Sequence, residues 1–261
     1  MSRHLTLDGI RNFRDFGDYG AGARRIKKGV LYRSAHHSEA TDDDLAAIAA
    51  LNPAVIVDLR RRGEREQRPS RRWDGFSARV IENDLDDENQ EEYETAWLNF
   101  LSQPGLEQQA IWEWGYDWYA RTPFEARHVD LFSRYFQALG DADGPVLIHC
   151  AAGKDRTGVL AALTHHLAGA SRDDILADYL LTNHPETMAR GQKEVLGWLG
   201  EKAPHNAHPE IARSINTITP EHLDATFDAI NAKHGSIDNY LTRELGVDAK
   251  LRGAIEKRIL E

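Results

Sequence analysis

The sequence predicts an α/β fold with a central, mainly parallel sheet flanked by helices, and two observations carry that expectation. Short runs rich in β-branched and aromatic residues alternate with longer stretches of helical periodicity. The runs at 55–59 and 146–149 are nearly continuous in apolar residues, the pattern of strands covered on both faces. In chain order, residues 30–33 form the first strand-like run, after a glycine-punctuated opening. Thr41 with Asp44 makes a capping box, and Leu45, Ile48 and Leu51 then recur at helical spacing up to Pro53. Residues 55–59 give a second strand and 76–81 a third. The fourth, 146–149, is opened by Gly144 and Pro145 and runs at once into a glycine-containing turn and a helix. Helical patterns cover 91–101, 107–121, 124–139, 157–169, 172–182, 186–200, 220–234, 236–245 and 248–260, with no internal repeat.

The chain has 261 residues, the size of one larger α/β domain with an insertion or of two small domains. Hydrophobic residues make up 41% and charged residues 28%, enough apolar material for a sizeable core. The net charge of −10 argues against nucleic acid as a partner, because no excess of lysine and arginine exists to neutralise phosphates. One cysteine, Cys150, excludes an internal disulfide and any multi-thiolate metal site. No apolar run has the length of a signal peptide or a membrane span, so the expectation is a soluble, cytoplasmic chain, although unconventional export leaves no trace in sequence.

Two charge blocks stand out. Residues 58–72 hold seven arginines against three acids, and residues 82–94 hold eight acids and no base. They read as two solvated loops that attract each other, with a basic rim near an anionic substrate as the alternative. Trp97, Trp112, Trp114 and Trp118 read as core residues on two amphipathic helices, with an apolar lid as the alternative.

The chemistry concentrates in His149-Cys150-Ala151-Ala152-Gly153-Lys154-Asp155-Arg156-Thr157-Gly158, at the junction of the fourth strand and a helix. Backbone N–H groups of a tight turn entering a helix converge on one concavity and favour an anion. Cys150 falls at the base of that cup, where amides, helix dipole and Arg156 stabilise a thiolate. Arg156 stays charged at every working pH, and its planar fork can hold two oxygens of a phosphoryl group. A thiolate beneath a tetrahedral dianion ringed by amides and arginine makes a phosphoryl-transfer site whose electrostatic work needs neither metal nor cofactor. With His149, Gly153, Thr157 and Gly158 included, chance agreement is on the order of one in a million per position.

This segment resembles the signature loop of cysteine-dependent tyrosine phosphatases, and with Asp155 it is similar to the bacterial family acting on phosphotyrosine, phosphoserine/threonine and phosphoinositides. Asn12-Phe13-Arg14-Asp15, Leu31-Tyr32-Arg33-Ser34, Asp58-Leu59-Arg60, Asp178-Tyr179-Leu180-Leu181-Thr182-Asn183 and residues 235–241 extend the resemblance over nearly the whole chain. It implies one phosphatase domain over 1–261, with phosphorylated proteins or phosphoinositides as substrates. Residue by residue, it implies Cys150 as the nucleophile of a phosphocysteine intermediate and Arg156 as the phosphate clamp. Ala151, Ala152, Gly153 and Lys154 then belong to the amide cradle, Thr157 donates toward the departing sulfur, and His149 orients the loop.

The tryptophan-proline-aspartate tripeptide that usually carries the general acid in this class is missing. Asp155 is the preferred acid. Asp58 is a second candidate at the substrate site, with anchoring of Arg60 as its structural alternative, and Asp117 is weakened by its helical context. Lys154 is read as a contact for a second substrate phosphate. Residues 184–218 read as a helical insertion acting as a lid over the mouth, since His184, His205 and His208 match no compact metal-ligand spacing. A catalytically silent phospho-ligand module and other thiol chemistry, such as sulfur transfer, remain as competing functions.

Overall fold

The computed structural model describes residues 5–85 and 90–261. The chain begins with β1 (Arg14–Asp15), a small hairpin of β2 (Gly20–Ala21) and β3 (Arg24–Arg25), and β4 (Leu31–Ser34). Helix α1 (Asp42–Leu51) follows, capped as expected: Thr41 accepts from the Asp44 amide, and the Asp44 carboxylate accepts from Thr41 N. The same carboxylate accepts from Asp8 and Gly9, so the cap also fastens the incoming chain. Next come β5 (Val55–Asp58), α2 (Arg62–Gln67), β6 (Arg79–Ile81), α3 (Gln90–Leu101), α4 (Gln108–Arg121), α5 (Ala126–Asp141), β7 (Val146–His149) and α6 (Asp155–Ala168). The remainder is helical: α7 (Arg172–Leu180), α8 (Pro185–Lys202), α9 (Pro209–Asn216), α10 (Pro220–His234), α11 (Ile237–Arg243) and α12 (Ala249–Ile259).

The sheet runs in the order β1-β4-β7-β5-β6, with β4, β7, β5 and β6 parallel and β1 antiparallel at one edge. Alternate residues of the parallel strands serve opposite layers. Val55, Val57, Val146 and Ile148 pack into the core shared with α5 and α6, whereas Ile56 and Leu147 meet Leu45 and Ile48 of α1. In register, Ser34 and Asp58 flank His149, so the carboxyl ends of three parallel strands converge where the cysteine loop begins. Ligands bind beyond strand ends of this kind in open α/β sheets.

Three differences from the sequence reading have physical causes. The third strand is only 79–81, because Trp73 and Phe76 leave the sheet line and pack edge to face at 4.8 Å against the α1 layer. Helix α2 arises within the arginine-rich block, where no apolar periodicity announces it and none of its residues is buried. Helix α6 begins at Asp155 rather than two residues later, which puts Asp155 and Arg156 in its first turn. The attraction between the charge blocks is visible in the pairs of Arg65 with Glu82 and Asp84; residues 86–89 of the acidic block lie outside the described residues.

A buried polar cluster sits under the strand ends. Asp178 of α7 binds Arg14 Nε at 3.1 Å and Arg33 Nη1 at 2.7 Å, and all three side chains are essentially inaccessible. Burial alone would raise the Asp178 acid, but the two guanidiniums outweigh it and hold the carboxyl far below its usual range. Asp58 is lowered in the same way by His149 and Arg60 against the effect of burial. Folded-state values below the unfolded ones contribute stability in full above about pH 5 and lose it as pH falls through the ordinary carboxylate range. Urea unfolding at stepped pH is therefore expected to show flat stability above that point and a steep decline below it. Asp178→Ala should cost about 3–5 kcal/mol at neutral pH, since it strands two buried cations, and should make the acid decline shallower.

Candidate active site

The loop from Cys150 to Lys154 is shaped by what grips its carbonyls. Ala151 O accepts from His36 N at 3.2 Å. Gly153 O accepts from Asn12 Nδ2 at 2.8 Å and from Arg33 Nη2 at 3.0 Å, and Lys154 O from the same Arg33 nitrogen at 3.4 Å. With carbonyls drawn toward the protein, the opposite ends of the peptide units turn away from it. Among the described residues, the amides of residues 151–156 find no protein acceptor. Gly153 has φ +65°, and a Cβ there would lie 2.4 Å from the Ser34 carbonyl group, so both conformation and space require glycine. The result is a nest of N–H donors continuous with the first turn of α6.

Cys150, at the start of this loop, is buried, 2% exposed. Thr157 Oγ1 is buried with no hydrogen-bond partner among the described residues, an available donor in the first turn of α6. His149 stacks on His37 with ring centroids 4.6 Å apart, and burial lowers it to about 4, so both its position and its neutrality suit a structural ring rather than a base.

Arg156 is held end-on by Glu64 of α2: Nη1 donates to Oε2 at 2.6 Å and Nη2 to Oε1 at 2.8 Å, while Nη1 also reaches Leu59 O at 3.3 Å. Burial would raise the Glu64 acid; the Arg156 charge and its hydrogen bonds bring it down to about 2, and the guanidinium is raised in turn. The Nε–H and the remaining Nη2 proton, adjacent on one edge of the guanidinium, make no bond to the described residues and form a second fork. Glu64 thus fixes the plane of the guanidinium and leaves an edge for two oxygens of a ligand.

Asp155 Oδ1 accepts from Tyr119 at 2.7 Å and faces Lys154 Nζ at 3.6 Å. Lys154, Asp155 and Arg156 open into a cavity of about 620 Å³. Its walls include Trp97, Trp114 and Trp118 from α3 and α4, and Trp198, Lys202 and Ile215 from α8 and its surroundings. Lys154 Nζ donates to Ile215 O at 2.6 Å, a direct tie between the loop and α9. Asn183 closes the base of the 184–218 segment, donating to Ile218 O and accepting from Ile218 N. Glu194 of α8 pairs with Arg11 and Arg68 of the body.

A buried cysteine that opens an amide nest, with an arginine fork at the end of the same loop, is the arrangement to set beside known proteins. Residues 5–261 match the model of the tyrosine phosphatase family. The chain belongs to the tyrosine phosphatase family. It is 32% identical to a Cupriavidus necator protein assigned by name to the tyrosine-protein phosphatases, over 97% of this chain and 89% of that one. It is 29% identical to the triple specificity protein phosphatase PtpB of Mycobacterium tuberculosis, over 95% of this chain and 98% of that one. A tyrosine-protein phosphatase of Nostoc commune is 28% identical over 86% of this chain and 72% of its own length.

The phosphatase loop thus brings Cys150, Ala151, Ala152, Gly153, Lys154, Asp155, Arg156 and Thr157 together, and two of the expected residues are engaged by protein neighbours. Asp58 is 1% exposed and binds Arg60 through both oxygens. The geometry is that of its structural alternative, anchoring of Arg60, with both carboxylate oxygens engaged in a buried position. Lys154, expected to meet a second phosphate, is engaged by Ile215 O and Asp155. Asp117 is exposed on α4, away from the cavity. The tryptophans divide: Trp97, Trp114 and Trp118 wall the cavity, while Trp112 stacks on His222 and donates to Thr219. Glu64 and Tyr119 escaped the sequence reading; the first sits in an arginine run that reads as loop, the second on a helix that reads as core. Among the described residues, no three His, Cys, Asp or Glu side chains converge as metal ligands. Glu64→Ala releases the guanidinium plane, and kcat/KM is expected to fall about 100-fold in steady-state kinetics with the fold intact by circular dichroism.

Proposed function

We propose that this chain is a phosphomonoester hydrolase that works through a phosphocysteine on Cys150. The observation that supports it most is the loop itself, whose carbonyls are tied back by Asn12, Arg33 and His36 so that its amides face a ligand above the thiol. A phosphate dianion seated there has its oxygens on amides 151–156 and the free edge of Arg156. The Cys150 thiolate attacks phosphorus as the bond to the leaving oxygen breaks, and Asp155 gives that oxygen a proton. Asp155, now a carboxylate, takes a proton from water as water attacks the phosphocysteine, and Thr157 donates toward the departing sulfur. Phosphate leaves and the thiolate is restored.

Phosphotyrosine is the substrate class we favour first, since aromatic walls above the cup suit an aryl ester. The width of the cavity and the cations Arg61, Lys154 and Lys202 along it favour phosphoserine/threonine peptides and phosphoinositides as further substrates. The triple specificity of the PtpB relative points the same way. Among the described residues no helix is long and apolar enough to cross a membrane, so a lipid substrate would be met at a surface. We assign residues 184–218 as a lid within one domain, hinged at the Asn183–Ile218 pair.

Cys150→Ser is expected to abolish p-nitrophenyl phosphate hydrolysis while still binding inorganic phosphate by calorimetry; unchanged turnover overturns the mechanism. A parallel assay of phosphotyrosine peptide, phosphoserine peptide and a phosphoinositide panel sets the substrate range, and lack of lipid turnover removes that class. Hydrogen exchange should show α8 and α9 less protected than β5 and β7, with protection rising when vanadate fills the cup. Equal protection with and without vanadate counts against a lid that moves.

A further inference from the structure

We propose that Tyr119 is a positioning residue for the general acid, holding Oδ1 of Asp155 so that the proton given to the leaving group is carried on Oδ2. The inference rests on the reading of Asp155 as that acid. Asp155 is the first residue of α6, and its side chain is about one-third exposed at the wall of the cavity. Oδ1 is occupied from two directions, by the Tyr119 hydroxyl at 2.7 Å and the Lys154 ammonium at 3.6 Å. Among the described residues nothing hydrogen-bonds Oδ2. An oxygen that accepts a phenolic hydrogen bond and faces an ammonium is a poor seat for a proton, so the acid form carries it on the other oxygen.

Tyr119 is built to do this. Its own oxygen accepts from Tyr179 at 2.8 Å, which leaves its single proton directed to Asp155. The two phenols and the carboxyl form a chain in which each hydrogen bond polarises the next. Tyr119 is 2% exposed, its ring lies parallel to that of His222 at 5.2 Å, and Tyr179 meets it edge-on at 6.3 Å, so the hydroxyl has no freedom to swing away. Gly158 belongs to the same construction, because a Cβ there would sit 2.9 Å from the Tyr179 ring. Burial, with the charge of Asp155 and the neighbouring Tyr179, pushes the Tyr119 phenol well above its ordinary value, so it is a neutral donor throughout the working range.

The role is visible where protonation of the leaving group matters. As the Sγ–P bond forms and the P–O bond breaks, a poor leaving group needs the Oδ2 proton, whereas a p-nitrophenolate departs with little help. The test measures kcat/KM for aryl phosphates graded in leaving-group basicity, from p-nitrophenyl to phenyl, in wild type, Tyr119→Phe, Asp155→Asn and the double variant. Tyr119→Phe is expected to widen the gap between p-nitrophenyl and phenyl phosphate by about tenfold, with no further widening on the Asp155→Asn background. An equal loss on every substrate, or the same widening without Asp155, overturns the proposal. If Asp155→Asn itself leaves the gap unchanged, the acid reading fails; if it widens the gap and Tyr119→Phe does not, only the role of Tyr119 falls. Should Tyr119→Phe not fold, Tyr179→Phe removes the donor behind it and is expected to widen the gap about threefold, and an unchanged gap is then the overturning result.

Discussion

The carbonyl of Gly153 is the point on which the site depends. A loop of small residues between a strand and a helix has many conformations, and the productive one turns a series of amides toward a single point. Asn12 and Arg33 impose it from behind by accepting no alternative orientation of that peptide unit. Arg33 can be present in a dry interior only because Asp178 answers it, and Asp178 answers Arg14 as well, leaving one excess positive charge buried beneath the cup. That charge and the nest of amides act in the same direction. The cost of burying two guanidiniums with one carboxylate is offset by backbone acceptors at Asn12, Asp178, Gly153 and Lys154.

Charge in this molecule is organised locally. A net −10 would repel a phosphate dianion at long range, yet within the cavity Arg61, Lys154, Arg156 and Lys202 share the walls with Glu64 and Asp155. By charge alone Glu64 is a poor neighbour for an anion site, since it subtracts a charge. Its carboxylate is spent end-on upon Arg156, however, and what it gives up in field it returns in geometry, since a guanidinium fixed in one plane binds a tetrahedral anion without first losing rotational freedom.

The legible and illegible parts of the sequence separate along physical lines. The strand-loop-helix unit around Cys150 was readable because turn chemistry, strand pattern and helix start all lie in ten consecutive residues. The scattered segments around Asn12, Arg33 and Asp178 could be recognised as a resemblance, but their convergence under Gly153 is long-range and has no local signature. Helix α2 was missed because a helix with no buried residue has no apolar period to read, and Glu64 was missed with it. Asp58 shows where sequence leaves two roles open: a carboxylate at a strand end can face substrate or anchor Arg60, and only the fold shows Arg60, two residues on, folding back on it. The tryptophans carried too little information, because a half-buried cavity wall and a core have the same spacing along a helix.

The start of α6 has a further consequence for the proposed chemistry. Asp155 and Arg156 are consecutive in a helix, so their side chains diverge by about 100° around its axis. One turn therefore delivers a carboxyl to the Tyr119 side and a guanidinium to the Glu64 side of the same cup. On the proposed reading, the acid belongs to the rigid loop-helix junction and needs no mobile segment to carry it in. On the same reading the proposed lid, 184–218, is relieved of chemical duty, and its tie to Lys154 bears on access and on the cation at the rim. If the segment opens as proposed, the movement that widens the mouth also releases the ammonium for a ligand oxygen. On that reading, the lysine expected to meet a second phosphate and the lysine that holds α9 are two states of one residue, coupled through Ile215.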